Sequence, residues 1–209
     1  MTKREDEAGT ATRILDIAEG LVQTRGFNGF SYADVAGELR VTAASLHYHY
    51  RGKAELGHAL IERYTDRFVE VLDAIERRPG AAPAKLKAYA RIYADVLRRG
   101  RMCLCGMLAA GYDTLPEAMR DEVVRFFDAN ERWLARVLEQ GVRDGSLVFT
   151  GSARSAAQSI VSGLEGALLV ARPYGDVARF EAAANRLLAG FTPDGRAAAR
   201  TTRATRKTG

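Results

Sequence analysis

The two cysteines of the chain lie two residues apart in Met102-Cys103-Leu104-Cys105-Gly106-Met107-Leu108-Ala109. A thiolate is a nucleophile and a metal ligand. Positions two apart on a helix point roughly 200° apart, so the pair does not readily close a disulfide within one helix. Two thiols also fall short of a four-ligand zinc site. Two readings stand: a reactive thiol, or two small buried hydrophobes. A second cluster is Ser45-Leu46-His47-Tyr48-His49-Tyr50, dense in hydroxyl and imidazole donors. Donors of this kind suit phosphate oxygens and base edges. The third feature is Asn130, an amide within the apolar stripe Met119, Val123, Phe126, Trp133 and Val137. A buried amide needs partners. Asn130 either satisfies a neighbouring helix or orients a ligand in an apolar pocket with Tyr89, Tyr93, Met107, Tyr112 and Trp133.

Enzyme chemistry finds little here. The chain has no P-loop, no dinucleotide-binding glycine pattern, no G-x-S-x-G and no H-E-x-x-H. Its three histidines, His47, His49 and His58, sit close together near the N-terminus. No catalytic residue, metal site or cofactor is expected.

The elements that must hold these residues are helical throughout. Ile14, Leu15, Ala18, Leu21 and Val22 share a face of a helix over Arg13–Arg25, which Gly26 stops. Ser31 caps a short second helix and Thr42 a third that runs to about Tyr50. A fourth covers about Lys53 to Arg77. Pro79, Gly80 and Pro83 precede a fifth, which ends near Gly100. Met102 to Tyr112 is short and apolar. Pro116 opens a long helix that Gly145 closes. Segments 153–171 and 177–191 complete an all-α fold of about nine helices, with no solenoid repeat.

Within the third helix, three- and four-residue spacing divides the side chains. Leu46, His49 and Tyr50 turn inward. Ala43, Ala44, His47 and Tyr48 turn outward, and the two alanines permit close approach to a surface such as a major groove. Ser45 lies in the first turn, where N–H groups favour a phosphate. Three short helices joined by tight turns suit a helix-turn-helix unit.

The 209 residues carry a net charge of +5, and 47% are apolar. Such a chain buries a core without staples. No apolar run is long enough for a membrane span, and Met1–Gly9 has no signal core, so a cytoplasmic protein with no membrane partner is expected. Residues 1–53 hold seven basic and seven acidic side chains, residues 54–192 are +1, and residues 193–209 are +4. The basicity therefore sits mostly in a C-terminal tail, expected to be disordered and to add weak phosphate contact.

The stretch from Phe27 to Leu60 resembles the DNA-binding domain of the tetracycline-repressor (TetR) family. The matching residues are Gly26-Phe27, Ser31-Tyr32, Val35-Ala36, Leu39, Val41, Ser45-Leu46, Tyr48-His49-Tyr50 and Lys53. The resemblance implies that Ser45, Tyr48 and Lys53 contact the DNA backbone, flanked by Ser31 and Tyr32. With Thr42, Ala43, Ala44 and His47, these make the candidate DNA surface. His47 stands where tyrosine is common, and Arg40 where the family turn has glycine. If that turn needs a positive φ, Arg40 is strained. Cys103, Leu104, Gly106, Leu108 and Ala109 also match a segment that is similar in many family members, some of which sense electrophiles through a cysteine. The resemblance favours Cys103.

It further implies domains over 1–53 (DNA-binding) and 54–192 (ligand-binding and dimerisation), followed by the tail at 193–209. The expected function is a repressor that binds a double-stranded palindromic operator as a homodimer and leaves it when a small-molecule inducer binds. Small residues in the eighth helix, Ala156, Ser159, Ile160, Gly163, Leu164 and Ala167, would allow two subunits to pack closely. The alternatives are a thiol-sensing repressor acting through Cys103, or a helical partner-binding protein without DNA function.

Overall fold

Helix α1 spans Lys3–Arg25 and begins ten residues before Arg13, the start that its apolar spacing marks. The early turns are polar, so hydrophobic spacing does not mark them, yet Arg4, Glu5 and Glu7 are good helix formers. The computed structural model describes residues 3–194, and most of the basic tail lies outside the described residues. Among the described residues there are nine α-helices, three one-turn 3-10 segments and no strand, the all-α architecture that the spacing implies. After α1 come α2 (Tyr32–Leu39), α3 (Ala43–His49), α4 (Lys53–Arg77) and α5 (Ala82–Arg98). Then follow α6 (Leu104–Ala110), α7 (Glu117–Arg143), α8 (Ala153–Ala171) and α9 (Val177–Ala189).

The contacts divide the chain into two compact units, one of residues 1–68 and 101–126, the other of 69–100 and 127–209. In the first unit, Ile14, Ala18 and Val22 of α1 are wholly buried, as are Val35 of α2 and Leu56 and Ile61 of α4. Segment 101–126 is anchored to α1 through backbone: the Met102 N–H donates to the Gln23 carbonyl at 3.1 Å. A ring cluster closes this core. Phe126 meets Phe68 edge-on at 5.0 Å and Tyr64 at 5.6 Å between centroids. Arg63 of α4 donates to Asp16 at 2.8 Å and to Glu19 at 3.0 Å on α1.

The second unit packs α5, α8 and α9 with the C-terminal part of α7. Leu86, Tyr89, Leu134, Ile160, Leu164, Leu168 and Phe180 fill it, each no more than 1% exposed. Gly141 is required here by space: a Cβ would lie 2.4 Å from Leu147 Cδ1 and 2.8 Å from the Ala82 Cβ. Gly145 ends the region after α7 with φ 74°, a left-handed stop.

One expectation needs correction. Ala156, Ile160 and Leu164 are 7%, 0% and 0% exposed within a single chain, so they belong to its own core. The outer face of α8 is carried by Ser159, Gly166, Leu169 and Val170, with Gly163 and Ala167 half-buried beside it. Leu169 and Val170 are 57% and 55% exposed.

Candidate DNA-reading surface and sensor residues

The capped turns around α2 and α3 build the first candidate surface. Ser31 and Asp34 form a reciprocal box: the Asp34 N–H donates to Ser31 Oγ at 3.3 Å, and the Ser31 N–H donates to Asp34 Oδ2 at 2.7 Å. The Ser31 hydroxyl also donates to Asp34 Oδ2 at 2.6 Å, and this bond, then the one from the Ser31 N–H, holds the Asp34 carboxyl below its ordinary pKa. Thr42 caps α3 by accepting from the Ser45 N–H at 3.3 Å. Between the two helices, Arg40 adopts φ 59° and ψ 41°. The turn does demand the left-handed conformation that glycine supplies without strain.

The faces of α3 fall as their spacing implies. Leu46 is 1% exposed, and His49 and Tyr50 are half-buried. Ala43, Ala44 and His47 are exposed, and Tyr48 is 71% exposed. Ser45 is half-buried. The Tyr32 hydroxyl donates to the Tyr50 carbonyl at 3.0 Å, and its ring packs on His47 at 4.7 Å. Burial, then Glu55 and Tyr50, pushes the Tyr32 phenol up to about 12. His47 Nδ1 lies 3.2 Å from the Arg51 carbonyl. A carbonyl only accepts, so in this contact the His47 Nδ1–H is the donor.

Lys53 is more engaged than sequence suggests. Its ammonium donates to the Phe30 carbonyl at 2.5 Å and lies 4.7 Å and 4.3 Å from the Phe27 and Phe30 ring centroids. Burial lowers its pKa, with Asp34 opposing. The lysine thus fastens the loop before α2 to the start of α4, with two of its three donors beyond that bond.

The six candidate pocket residues and the candidate sensor Cys103 are distributed over both units. Tyr89, Tyr93, Asn130 and Trp133 meet in the second. The Tyr89 hydroxyl donates to Asn130 Oδ1 at 2.9 Å and therefore accepts from Tyr93, also at 2.9 Å. Trp133 stacks on Tyr89 at 5.7 Å. Among the described residues, the buried Trp133 Nε1–H has no hydrogen-bond acceptor.

Cys103, Met107 and Tyr112 belong to the first unit. Met107 lines a cavity of about 240 Å³ with Gly26, Asn28, Gly111 and Thr114. Tyr112 is 36% exposed on a one-turn helix. Cys103 caps α6, where its Sγ accepts from the Gly106 N–H at 3.5 Å and from the Tyr64 hydroxyl at 3.9 Å. Neither cysteine is in a disulfide, and both are at most 1% exposed. Burial, then the neighbouring cysteines, pushes the Tyr64 phenol well above its ordinary value. Tyr64 is absent from the sequence candidates because its place in the apolar stripe of α4 hides the hydroxyl's role.

Among the described residues, no three His, Cys, Asp or Glu side chains group as a metal site, and no helix is long and apolar enough to cross a membrane. Comparison with known proteins agrees with this layout. The description "Bacterial regulatory proteins, tetR family" matches residues 14–60, and "Tetracyclin repressor-like, C-terminal domain" matches residues 82–187. A solved TetR-family regulator from Agrobacterium tumefaciens is 32% identical with a TM-score of 0.86, covering 89% of this chain and 99% of that one. The transcriptional regulator AcuR of Cereibacter sphaeroides is 27% identical over 152 residues, 71% of this chain and 69% of that protein. The repressor NemR of Escherichia coli is 27% identical over 179 residues, 81% of this chain and 87% of that one. The chain belongs to the tetracycline-repressor (TetR) family of DNA-binding transcriptional regulators.

Proposed function

We propose that this regulator is a homodimeric repressor that leaves a palindromic operator when a small-molecule inducer enters its helical domain. The observation that carries the reading is the exposed face of the capped α3, with Tyr48 71% exposed. Two-fold symmetry would set two such helices about 34–36 Å apart. The exposed apolar pair Leu169 and Val170, together with Ser159, Gly163 and Ala167, supports pairing through α8. The proposed DNA contacts are Ser31, Tyr32, Thr42, Ala43, Ala44, Ser45, His47, Tyr48 and Lys53, from segment 1–53. An electrophoretic shift with the DNA flanking its own gene tests this. No retarded, salt-sensitive complex with any such fragment rejects the repressor.

The network of Tyr89, Tyr93 and Asn130 beside the unpartnered Trp133 N–H supports an inducer site in the second unit. The buried donor favours a ligand bearing a hydrogen-bond acceptor. Asn130→Ala is expected to weaken inducer-driven release roughly tenfold while basal DNA binding holds, because Tyr89 loses its acceptor. A variant that unfolds instead assigns Asn130 to the scaffold. Stabilisation against heat by candidate metabolites identifies the inducer, since a ligand of the native state raises Tm.

A second reading rests on Cys103. Its sulfur accepts hydrogen bonds from an α6 backbone N–H and from Tyr64, two donors aimed at the atom that would react. In this reading an electrophile or oxidant acts as the signal. Cys103→Ser is then expected to stay on DNA under an oxidant that releases the wild type. Equal release of both proteins removes Cys103 from the mechanism.

A further inference from the structure

Two arginines, Arg40 and Arg51, bracket α3. Arg40 ends α2 two residues before the Thr42 cap, and Arg51 follows two residues after His49. Both are exposed. Neighbouring cations are engaged: Arg25 with Asp34 at 3.6 Å, Lys53 with the Phe30 carbonyl, and Arg63 with Asp16 and Glu19. Among the described residues, no hydrogen bond or ion pair reaches the guanidinium of Arg40 or of Arg51.

The backbone roots of both arginines are fixed. Among the described residues, Arg40 is the one non-glycine at positive φ. Its N–H closes the end of α2 on the Ala36 and Gly37 carbonyls. Glycine would make the same turn without strain. The side chain therefore brings a local cost that no hydrogen bond or ion pair of its own among the described residues offsets, a pattern that marks functional positions. Arg51 is pinned from two sides: its N–H donates to Glu55 Oε2 at 3.0 Å, and its carbonyl lies 3.2 Å from His47 Nδ1. That places it beside an exposed residue of α3.

We infer that Arg40 and Arg51 are a pair of phosphate contacts that seat α3 between the two backbone walls of a major groove. The seven residues of α3 rise about 10 Å, close to the ~12 Å width of that groove. A guanidinium at each end then reaches a phosphate without entering the groove, and its planar fork suits phosphate oxygens. This inference rests on the DNA-binding reading. It also explains how residues 1–53 serve DNA with no net charge: position replaces quantity.

The test is a salt titration by fluorescence anisotropy, from about 50 to 200 mM, on two duplexes. One is the DNA upstream of the protein's own gene, and the other has random sequence and equal length. Each variant removes one contact per subunit, hence two per homodimer, so Arg40→Gly and Arg51→Ala are each expected to reduce the slope of log K against log salt by about 1.8. Each should weaken binding roughly threefold to tenfold, equally on both duplexes. Arg40→Lys should keep the slope, and Arg40→Gly should melt no lower than the wild type. Unchanged slopes, a change in just one of the two charge-removing variants, or a loss confined to the upstream duplex overturns the pair. A wild type that binds neither duplex sinks the regulator reading itself.

Discussion

Phe126→Ala is expected to destabilise the protein by about 3–5 kcal/mol. Phe126 is wholly buried and packs its ring against Phe68 and Tyr64. Truncation removes the transfer free energy of the ring, leaves a cavity, and deletes two aromatic contacts. Against a typical total stability of about 5–15 kcal/mol this is a large share. At roughly 2–4 °C per kcal/mol for a chain of this size, Tm should fall by about 6–20 °C. Phe126→Leu, which keeps much of the volume, should cost far less. A thermal melt of Phe126→Ala within about 2 °C of wild type would show that this ring cluster does not hold the first unit together. Because Phe126 shares that unit with α2 and α3, DNA binding should be lost along with stability.

The second large effect separates function from folding. Tyr48→Ala removes a side chain that is 71% exposed and touches the neighbouring His49 ring edge-on at 5.3 Å. Stability should change by no more than about 0.5 kcal/mol. Affinity for operator DNA should fall by about 1–3 kcal/mol for each recognition helix, roughly 5-fold to 150-fold. Tyr48→Phe divides that loss between hydroxyl and ring. A Tyr48→Ala protein that melts and binds like the wild type would take Tyr48 out of the interface.

Local rules were the most readable part of this chain. Ser31 and Thr42 cap as their chemistry implies, because the first N–H groups of a helix need acceptors and a short oxygen is the nearest one. The inward and outward sides of α3 follow from helical spacing. Arg40 adopts a positive φ because the tight turn after α2 needs it whatever residue is present. The early turns of α1 escape, since polar helix leaves no apolar period.

Long-range partners were hidden for a different reason. The two faces of α8 are nearly equal in hydrophobicity: Leu168 is buried while the adjacent Leu169 is 57% exposed. Spacing alone cannot tell which face meets the core. Lys53 looks like a free cation until Phe27 and Phe30 fold beneath it. The Trp133 N–H is an ordinary donor until burial leaves it without an acceptor. Grouping Cys103, Met107 and Tyr112 with Tyr89, Tyr93, Asn130 and Trp133 follows from composition, and composition carries no information about which unit each residue joins.

The interleaving of segment 101–126 with residues 1–68 sets an order of events during synthesis. Helices α1 to α3 leave the ribosome first, but the strands of chain that complete their unit come much later. Met102 must arrive to occupy the Gln23 carbonyl, and Phe126 to cover Tyr64 and Phe68. At ~5–20 residues per second, several seconds separate the emergence of Phe68 from that of Phe126. Until then the nascent N-terminal portion shows bare aromatic surface, a target for chaperones rather than for DNA. A polypeptide cut after α3 or α4 is a poor substitute for the whole protein, because the tail end of the reader's own core is encoded downstream.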